Sequence, residues 1–361
     1  MDQTALPNGE KHMLAAVYYG PDDLRLEERP VPGIGPDEAL LKVINTGICG
    51  TDLRILHGGH RKYPAGTVRV PGHEVVGEIV EVGANVTGVP VGQRVMVAPN
   101  YGCGHCPQCV TGNNNRCANY GGIGITLDGA FAEYMRIPAA MILQGDLIPI
   151  GDDVDPAAAA LIEPFACVLR GQDALHIGPD DVVLVSGAGP IGTMHIMLAR
   201  LKGAKRVIVS ELVEARLPQA VAAGADRTVN ITEENLADVI MDESNGRGAD
   251  AIIIAAPAHK AQEEALSLAA IGGRINFFGG LPKDRPTITF DSNLVHYKEL
   301  IVTGTTACST SDCWRAAEIV NAGRIDLTQL VSGRYPLTEI HAAFKEAENR
   351  TALKIVVELD S

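Results

Sequence analysis

Residues 181–203 read DVVLVSGAGPIGTMHIMLARLKG. An apolar run, a glycine turn and a helical stretch follow one another without a break. Further short apolar runs come after it, AKRVIVSE, ADRTVNI, GADAIIIAA and GGRINFFGG, most with helical stretches between them. Strands alternating with helices build a parallel sheet with right-handed crossovers. The expectation from about residue 163 onward is therefore a doubly wound α/β sheet.

The turn itself carries chemistry. SGAGPIG sets Gly187, Gly189 and Gly192 in a G-x-G-x-x-G pattern, with Pro190 and Ile191 between the last two. Gly187 permits the tight turn, Gly189 lets a pyrophosphate approach the backbone, and Gly192 lets helix and strand pack closely. The helix N-terminus then faces the phosphates. Glu211 ends the next strand, RVIVSE, which is 19 residues past Gly192 (211 minus 192). A carboxylate there accepts hydrogen bonds from ribose hydroxyls and repels a 2′-phosphate, which favours NAD over NADP. The bland alternative is a glycine turn in an α/β domain that binds nothing.

Before residue 160 the pattern differs. LLKVINTGICGTD, EVVGEIVEVG and GQRVMVAP are short strands broken by turn signals such as PGIGPDE and VPVG, which suggests a β-barrel-like domain. After about residue 303 come helical stretches and a terminal strand, ALKIVVEL. Four of the eight cysteines fall in CGHCPQCVTGNNNRC, as Cys103, Cys106, Cys109 and Cys117. Clustered cysteines in a large chain point to metal rather than to a secreted disulfide scaffold. Four thiolates at this spacing wrap a tetrahedral zinc with no open position; an iron–sulfur cluster, free thiols and disulfides are the alternatives.

The net charge of −14 over 361 residues argues against nucleic acid or an anionic membrane as partner. The leading MDQTALPNGEKHM shows no basic region followed by an apolar core, and the apolar runs are too short to span a bilayer. The reading is a cytoplasmic protein.

Three other residues invite a metal reading. His73 opens GHEVVGEIVEVG, Cys49 sits in TGICGTD beside Thr51 and Asp52, and Glu163 sits in LIEPFACVLRG. A catalytic zinc takes three protein ligands and leaves one position open. Taken singly, Cys49 is also a small buried residue, His73 a turn histidine and Glu163 a helix-start carboxylate.

Together these motifs resemble the zinc-containing alcohol dehydrogenases of the medium-chain dehydrogenase/reductase superfamily, and especially the sorbitol dehydrogenase-like polyol branch. The likeness covers nearly the whole chain: CGTD, GHEVVGEIVEVGANV with Gly77, Gly83 and Val86, the four-cysteine lobe, Glu163-Pro164, and GAGPIG. It implies a GroES-like β-barrel catalytic domain with a structural zinc lobe, residues 1–162 and 307–361. It also implies a Rossmann NAD-binding domain, residues 163–306. Two zinc ions per chain follow: a structural one on Cys103, Cys106, Cys109 and Cys117, and a catalytic one on Cys49, His73 and Glu163. Glu74 is then expected beside the metal, as an inner ligand or just behind it, and Asp52 orients the His73 ring. Thr51 passes the alcohol proton outward, and a hydride goes to the nicotinamide. Arg216 and Thr305 join Gly187, Gly189, Pro190, Ile191, Gly192 and Glu211 in holding the cofactor.

The resemblance has gaps. Sorbitol dehydrogenases carry an Arg-Tyr pair where this chain has Ala307 and Cys308 in GTTACS, and a histidine soon after the first ligand where it has Arg54. The proton relay then ends at the ribose and solvent, or uses another group such as His57. Cys167 lies four residues past Glu163 (167 minus 163) and is read as a packing residue. The expected activity is hydride transfer from a secondary alcohol of a polyol, sugar or sugar derivative to NAD. The alternatives are threonine dehydrogenase-like amino-alcohol oxidation and a zinc-stabilised NAD-binding protein without catalysis. A homodimer or homotetramer is expected, joined through the strand ELIVTG.

Overall fold

The computed structural model describes residues 11–349 and 351–359. The chain enters through an antiparallel pair, β1 (His12–Gly20) and β2 (Asp23–Pro30). β3 (Ala39–Gly47) follows, then α1 (Gly50–Leu56), β4 (Glu74–Val82), β5 (Arg94–Val97) and the short β6 (Asn100–Tyr101). Next come α2 (Pro107–Val110), β7 (Gly121–Gly122), β8 (Tyr134–Ile137), α3 (Ala139–Gln144), β9 (Leu147–Pro149) and α4 (Pro156–Ala160). α5 (Ile162–Asp173) leads out of this region.

β3 organises it. Residues 39–41 and 45–47 of β3 are buried, and the strand bonds antiparallel to both β4 and β8. On β4, Val75, Val76 and Ile79 face inward while Glu78 is exposed, the alternation expected of a sheet that is solvated on one side. Leu41, Ile55, Ile79, Ile123, Phe131 and Ile137 are fully buried in the same core. Burial of each such side chain stabilises by roughly 1.5–3 kcal/mol. Phe131 meets Phe344 edge to face, with centroids 5.5 Å apart, an arrangement the ring quadrupoles favour.

The parallel sheet comes next. Its strands are β10 (Val182–Ser186), β11 (Arg206–Glu211), β12 (Arg227–Asn230), β13 (Ala249–Ile254), β14 (Ala269–Phe277) and β15 (Ile301–Gly304). Between them lie α6 (Pro190–Leu201), α7 (Leu217–Ala222), α8 (Leu236–Glu243), α9 (His259–Leu268) and α10 (Ser292–Tyr297). The spatial order is β12-β11-β10-β13-β14-β15. Two half-cores explain why its strands read as unbroken apolar runs. Val183, Val185, Val207, Val209, Ala251 and Ile253 pack on one side. Val182, Leu184, Ile208, Ile252 and Ile254 pack on the other. Helices cover both faces, so neither alternates with polar residues. This is the dinucleotide-type doubly wound order.

The chain ends with α11 (Thr310–Asn321), β16 (Val331–Pro336), α12 (Ile340–Ala347) and β17 (Lys354–Glu358). β17 pairs antiparallel with β3, so the first sheet runs β16-β17-β3-β4-β5-β9. Two compact units result: Met1–Ala166 with Cys308–Ser361, and Cys167–Ala307. The division after Ala166 falls inside α5. Among the described residues no helix is long and apolar enough to cross a membrane.

Asp146, just before β9, is fully buried and accepts a hydrogen bond from Thr310 Oγ1, while its other oxygen, Oδ2, has no partner. Burial pushes its carboxyl up to about 8. The folded protein therefore holds a proton there that the unfolded chain has released, so this site's contribution to stability fades as pH rises from about 4 to 8. Asp146→Asn should flatten the fall in melting temperature between pH 5 and pH 9. A parallel decline in both proteins would show that Asp146 is ionised in the fold.

Candidate active site and metal centres

α1 places the first donors. Cys49 is its N-cap residue, and Asp52 Oδ2 accepts the Cys49 backbone N–H at 2.9 Å. The second oxygen, Oδ1, accepts the Gly72 N–H at 3.3 Å and faces His73 Nδ1 at 3.5 Å. One buried carboxylate thus ties the start of α1 to the segment that enters β4. His73 and Glu74 occupy that entry, 7 % and 0 % exposed. The ligand atoms of Cys49, His73 and Glu74 lie within 4.8 Å of one another.

The electrostatics of this trio call for a cation. Burial disfavours a charged His73, yet Asp52 and Cys49 outweigh it and hold the ring well above its usual range. Glu163, 6 % exposed in the first turn of α5, is pushed upward by burial and by Glu74, while His73 pulls it down. It stands outside the tight trio and within its electrostatic reach. Nδ1 of His73 is buried, with the Asp52 carboxylate 3.5 Å away. Thiolate, imidazole and carboxylate converging on one buried point fit a zinc ion.

The second donor set is the lobe. Cys103, Cys106, Cys109 and Cys117 bring their sulfurs within 4.8 Å of one another. Cys106 Sγ stands 3.5 Å from Cys109 Sγ and 3.8 Å from Cys117 Sγ. A tetrahedron with Zn–S bonds near 2.3 Å has edges of about 3.8 Å. Backbone N–H groups of His105 and Cys106 hold Cys103 down at about 6, and burial holds Cys109 up at about 12. None of the eight cysteines is in a disulfide. Four thiols this close together fit a structural zinc.

Residues the sequence did not single out complete the first site. Lys354, heading β17, reaches Glu74 Oε1 at 2.7 Å and Oε2 at 2.5 Å, and it donates to the Ile48 carbonyl at 2.8 Å. Burial disfavours its charge, but Glu74 and Cys49 outweigh it and raise it. A lysine set just before the apolar run IVV in LKIVVEL is the available signal. His57 takes no part in the trio: it ends α1, bound to Asp22 and Glu348 at 2.7 Å each on the surface. Thr51, half-buried, follows Cys49 in the first turn of α1.

In the parallel-sheet unit the glycine turn has the geometry a dinucleotide needs. Gly187 has φ +100°, and a Cβ on Gly192 would lie 1.8 Å from the Gly187 carbonyl oxygen. Only glycine permits both the left-handed turn and the close approach. Gly189 caps α6, and Pro190 occupies its first turn, followed by Ile191. Glu211 accepts the N–H groups of Ala188, Leu212 and Val213 at 2.7–3.0 Å, and Arg216 stands 3.5 Å from it. Gly187, Glu211, Leu212, Ile231 and Asn235 line a cavity of about 580 Å³. Thr305, past β15, donates to Asn276 Oδ1 at 3.2 Å.

Residues 35–149 match the alcohol dehydrogenase GroES-like domain, and residues 190–322 the zinc-binding dehydrogenase domain. L-threonine 3-dehydrogenase of Yersinia pestis (strain Pestoides F) is 33% identical over 92% of this chain and 95% of its own.

The chain belongs to the zinc-containing alcohol dehydrogenase family.

Two solved members of similar shape bear on the chemistry. A Sinorhizobium meliloti 1021 protein assigned as a zinc-binding dehydrogenase, solved with NADP bound, is 31% identical, with TM-score 0.89, covering 97% of this chain and 100% of that one. The 2R,3R-butanediol dehydrogenase of Bacillus subtilis is 25% identical, with TM-score 0.87, covering 96% and 100%. This family member is thus an NAD(P)-dependent oxidoreductase of the alcohol dehydrogenase type, acting on a small molecule.

Opposite outcomes are expected at the two metal centres. Cys106→Ser should lower the melting temperature by several degrees and release one zinc. His73→Ala should abolish NADH formation while leaving the circular dichroism spectrum in place. Both effects are read from elemental analysis, thermal melts and steady-state rates; exchanged phenotypes would reverse the assignment.

Proposed function

We propose that this enzyme oxidises a secondary alcohol of a polyol, sugar or sugar derivative, with NAD as hydride acceptor and two zinc ions per chain. The observation that carries the reading is the Cys49–His73–Glu74 trio, half-buried at Cys49 and buried at the other two, with Glu163 within its electrostatic reach. In it Cys49, His73 and Glu163 hold the catalytic ion, with Glu74 as inner ligand or close support. Zinc, when bound there, supplies a Lewis acid that eases loss of the alcohol proton, and NAD supplies the hydride acceptor.

The protein's own groups do the rest. Asp52 fixes the His73 tautomer and ring plane, a task that sets both metal affinity and ligand basicity. Lys354 holds the Glu74 carboxylate and offsets the negative charge gathered around the trio. Thr51 supplies the hydroxyl that carries the proton away. The four-cysteine lobe holds structural zinc and performs no chemistry. On the cofactor side, the amide groups of the glycine turn and the α6 N-terminus receive the pyrophosphate. Glu211, already oriented by three backbone N–H groups, takes the ribose hydroxyls, with Arg216 beside it and Thr305 further along the cofactor site.

A second substrate reading has a specific observation in its favour, the 33% identity with L-threonine 3-dehydrogenase. Threonine and 2,3-butanediol share a secondary alcohol next to a carbon that bears a polar substituent, which relates the two readings. A cytoplasmic location is part of this reading. β15 lies at the edge of the parallel sheet with Ile301 exposed. An edge strand with apolar exposure is a ready template for pairing with a second copy. Light scattering at micromolar concentration should therefore give a dimer or tetramer mass, and a monomer mass would refute the pairing.

A kinetic panel of polyols, sugars, sugar phosphates, simple alcohols, butanediol and threonine tests the activity by NADH absorbance. Turnover abolished by a chelator is expected with one of the polyhydroxylated compounds. Turnover of threonine alone would favour the second reading, and NAD binding without turnover of any alcohol would contradict both. A charge-assisted contact is worth roughly 1.5–3 kcal/mol, or one to two powers of ten in affinity. NAD should therefore be preferred over NADP by about tenfold or more in kcat/KM, and Glu211→Ser should erode that preference. Equal use of NADP by the unaltered enzyme would show that Glu211 does not face the ribose.

A further inference from the structure

Glu163 stands just outside the tight trio, so something must set where its carboxylate points. The structure supplies a route. Cys308 is 1 % exposed, and its thiol donates to Glu163 Oε1 at 3.4 Å. Its carbonyl in turn accepts Asn100 Nδ2 at 3.2 Å. Two residues on, Thr310 opens α11 and is gripped twice by Asn114. The Thr310 N–H donates to Asn114 Oδ1 at 3.0 Å, and Asn114 Nδ2 lies 2.8 Å from Thr310 Oγ1. Asn114 Nδ2 also donates to the Asn100 carbonyl at 2.7 Å.

Asn114 belongs to the lobe. It lies between Cys109 and Cys117, is 5 % exposed, and its carbonyl accepts the Cys117 N–H at 3.0 Å. A buried primary amide that satisfies a backbone N–H, a hydroxyl and a carbonyl at once is a rigid link, because each lost partner would leave a buried polar group unpaired. The lobe is therefore fastened at Asn114 to the turn 308–310, and that turn holds the carboxylate of Glu163.

We propose that the four-cysteine lobe positions Glu163 for the catalytic ion, with Asn114, Thr310 and Cys308 as positioning residues. Zinc in the lobe orders Asn114, Asn114 fixes the turn, and the turn aims Glu163. The proposal rests on the reading of Glu163 as a ligand. It adds a coupling between the two metal centres: integrity of the lobe sets how firmly the catalytic ion is held. Groups that orient a metal ligand typically change metal affinity by about 10–100-fold when removed.

The test uses the full-length enzyme with zinc in the lobe and cobalt(II) in the catalytic set. The readouts are the rate of cobalt loss to a chelator and the visible cobalt spectrum, with lobe zinc counted by elemental analysis. Asn114→Ala and Thr310→Val should each lose cobalt about tenfold faster or more, with shifted bands. Thr310→Ser, which keeps the hydroxyl, should behave as the unaltered enzyme. The Thr310 pair decides the matter if Asn114→Ala yields no folded protein. Cobalt held at the unaltered rate with unaltered bands in Thr310→Val would overturn the coupling. Glu163→Gln separates the two layers. If it too holds cobalt as the unaltered enzyme does, Glu163 is not a ligand and the underlying reading fails. If it loses cobalt while Thr310→Val does not, the coupling alone fails.

Discussion

The carboxylate of Asp52 is the interaction on which the catalytic centre depends. Its two oxygens bind the backbone N–H groups of Cys49 and Gly72, so a single side chain joins the α1 start to the β4 entry. Those are the two places from which Cys49 and His73 emerge. The same carboxylate faces His73 Nδ1 at 3.5 Å. A fully buried acid with this much to hold has no freedom to relax, and loss of one partner would strand a charge in the core. The position of two ligands is thus decided before any metal arrives.

Around that anchor the charges are arranged to need a cation. Glu74 is buried against Lys354, and Glu163 is buried near both His73 and Glu74. Asp52 and Cys49 favour a positive charge on His73, and Glu74 favours one on Lys354. On the proposed reading a zinc ion would take the place of a proton on His73, so metal uptake would depend on pH at this site. The lobe follows the opposite logic. Its four sulfurs lie within 4.8 Å of one another, a set made of thiols alone.

Some of this was legible in the sequence because the chemistry is local. G-x-G-x-x-G between a strand and a helix needs only a few adjacent residues to be recognised, and Gly192 proves indispensable because a Cβ would strike the Gly187 carbonyl. The four cysteines span a short loop and advertise themselves by spacing. The unbroken apolar runs of the parallel sheet reflect two half-cores, one on each face. What stayed hidden was long-range pairing. Lys354 meets Glu74 across 280 positions, and Asn114 meets Thr310 across 196. Neither has a local pattern, because the fold brings the partners together only when β17 pairs with β3 and α11 returns to the lobe. His57 shows the reverse: its closeness to Cys49 in sequence suggested a proton relay, while the length of α1 carries it to the surface.

Anomalous diffraction at the zinc edge from crystals of the metal-replete enzyme tests the central claim most directly. Two peaks per chain are predicted, one among Cys103, Cys106, Cys109 and Cys117, and one at bonding distance from Cys49 Sγ, a His73 ring nitrogen and a Glu163 oxygen, roughly 2.0–2.3 Å. A single peak in the lobe, or a second one that does not touch Cys49 and His73, would contradict the account.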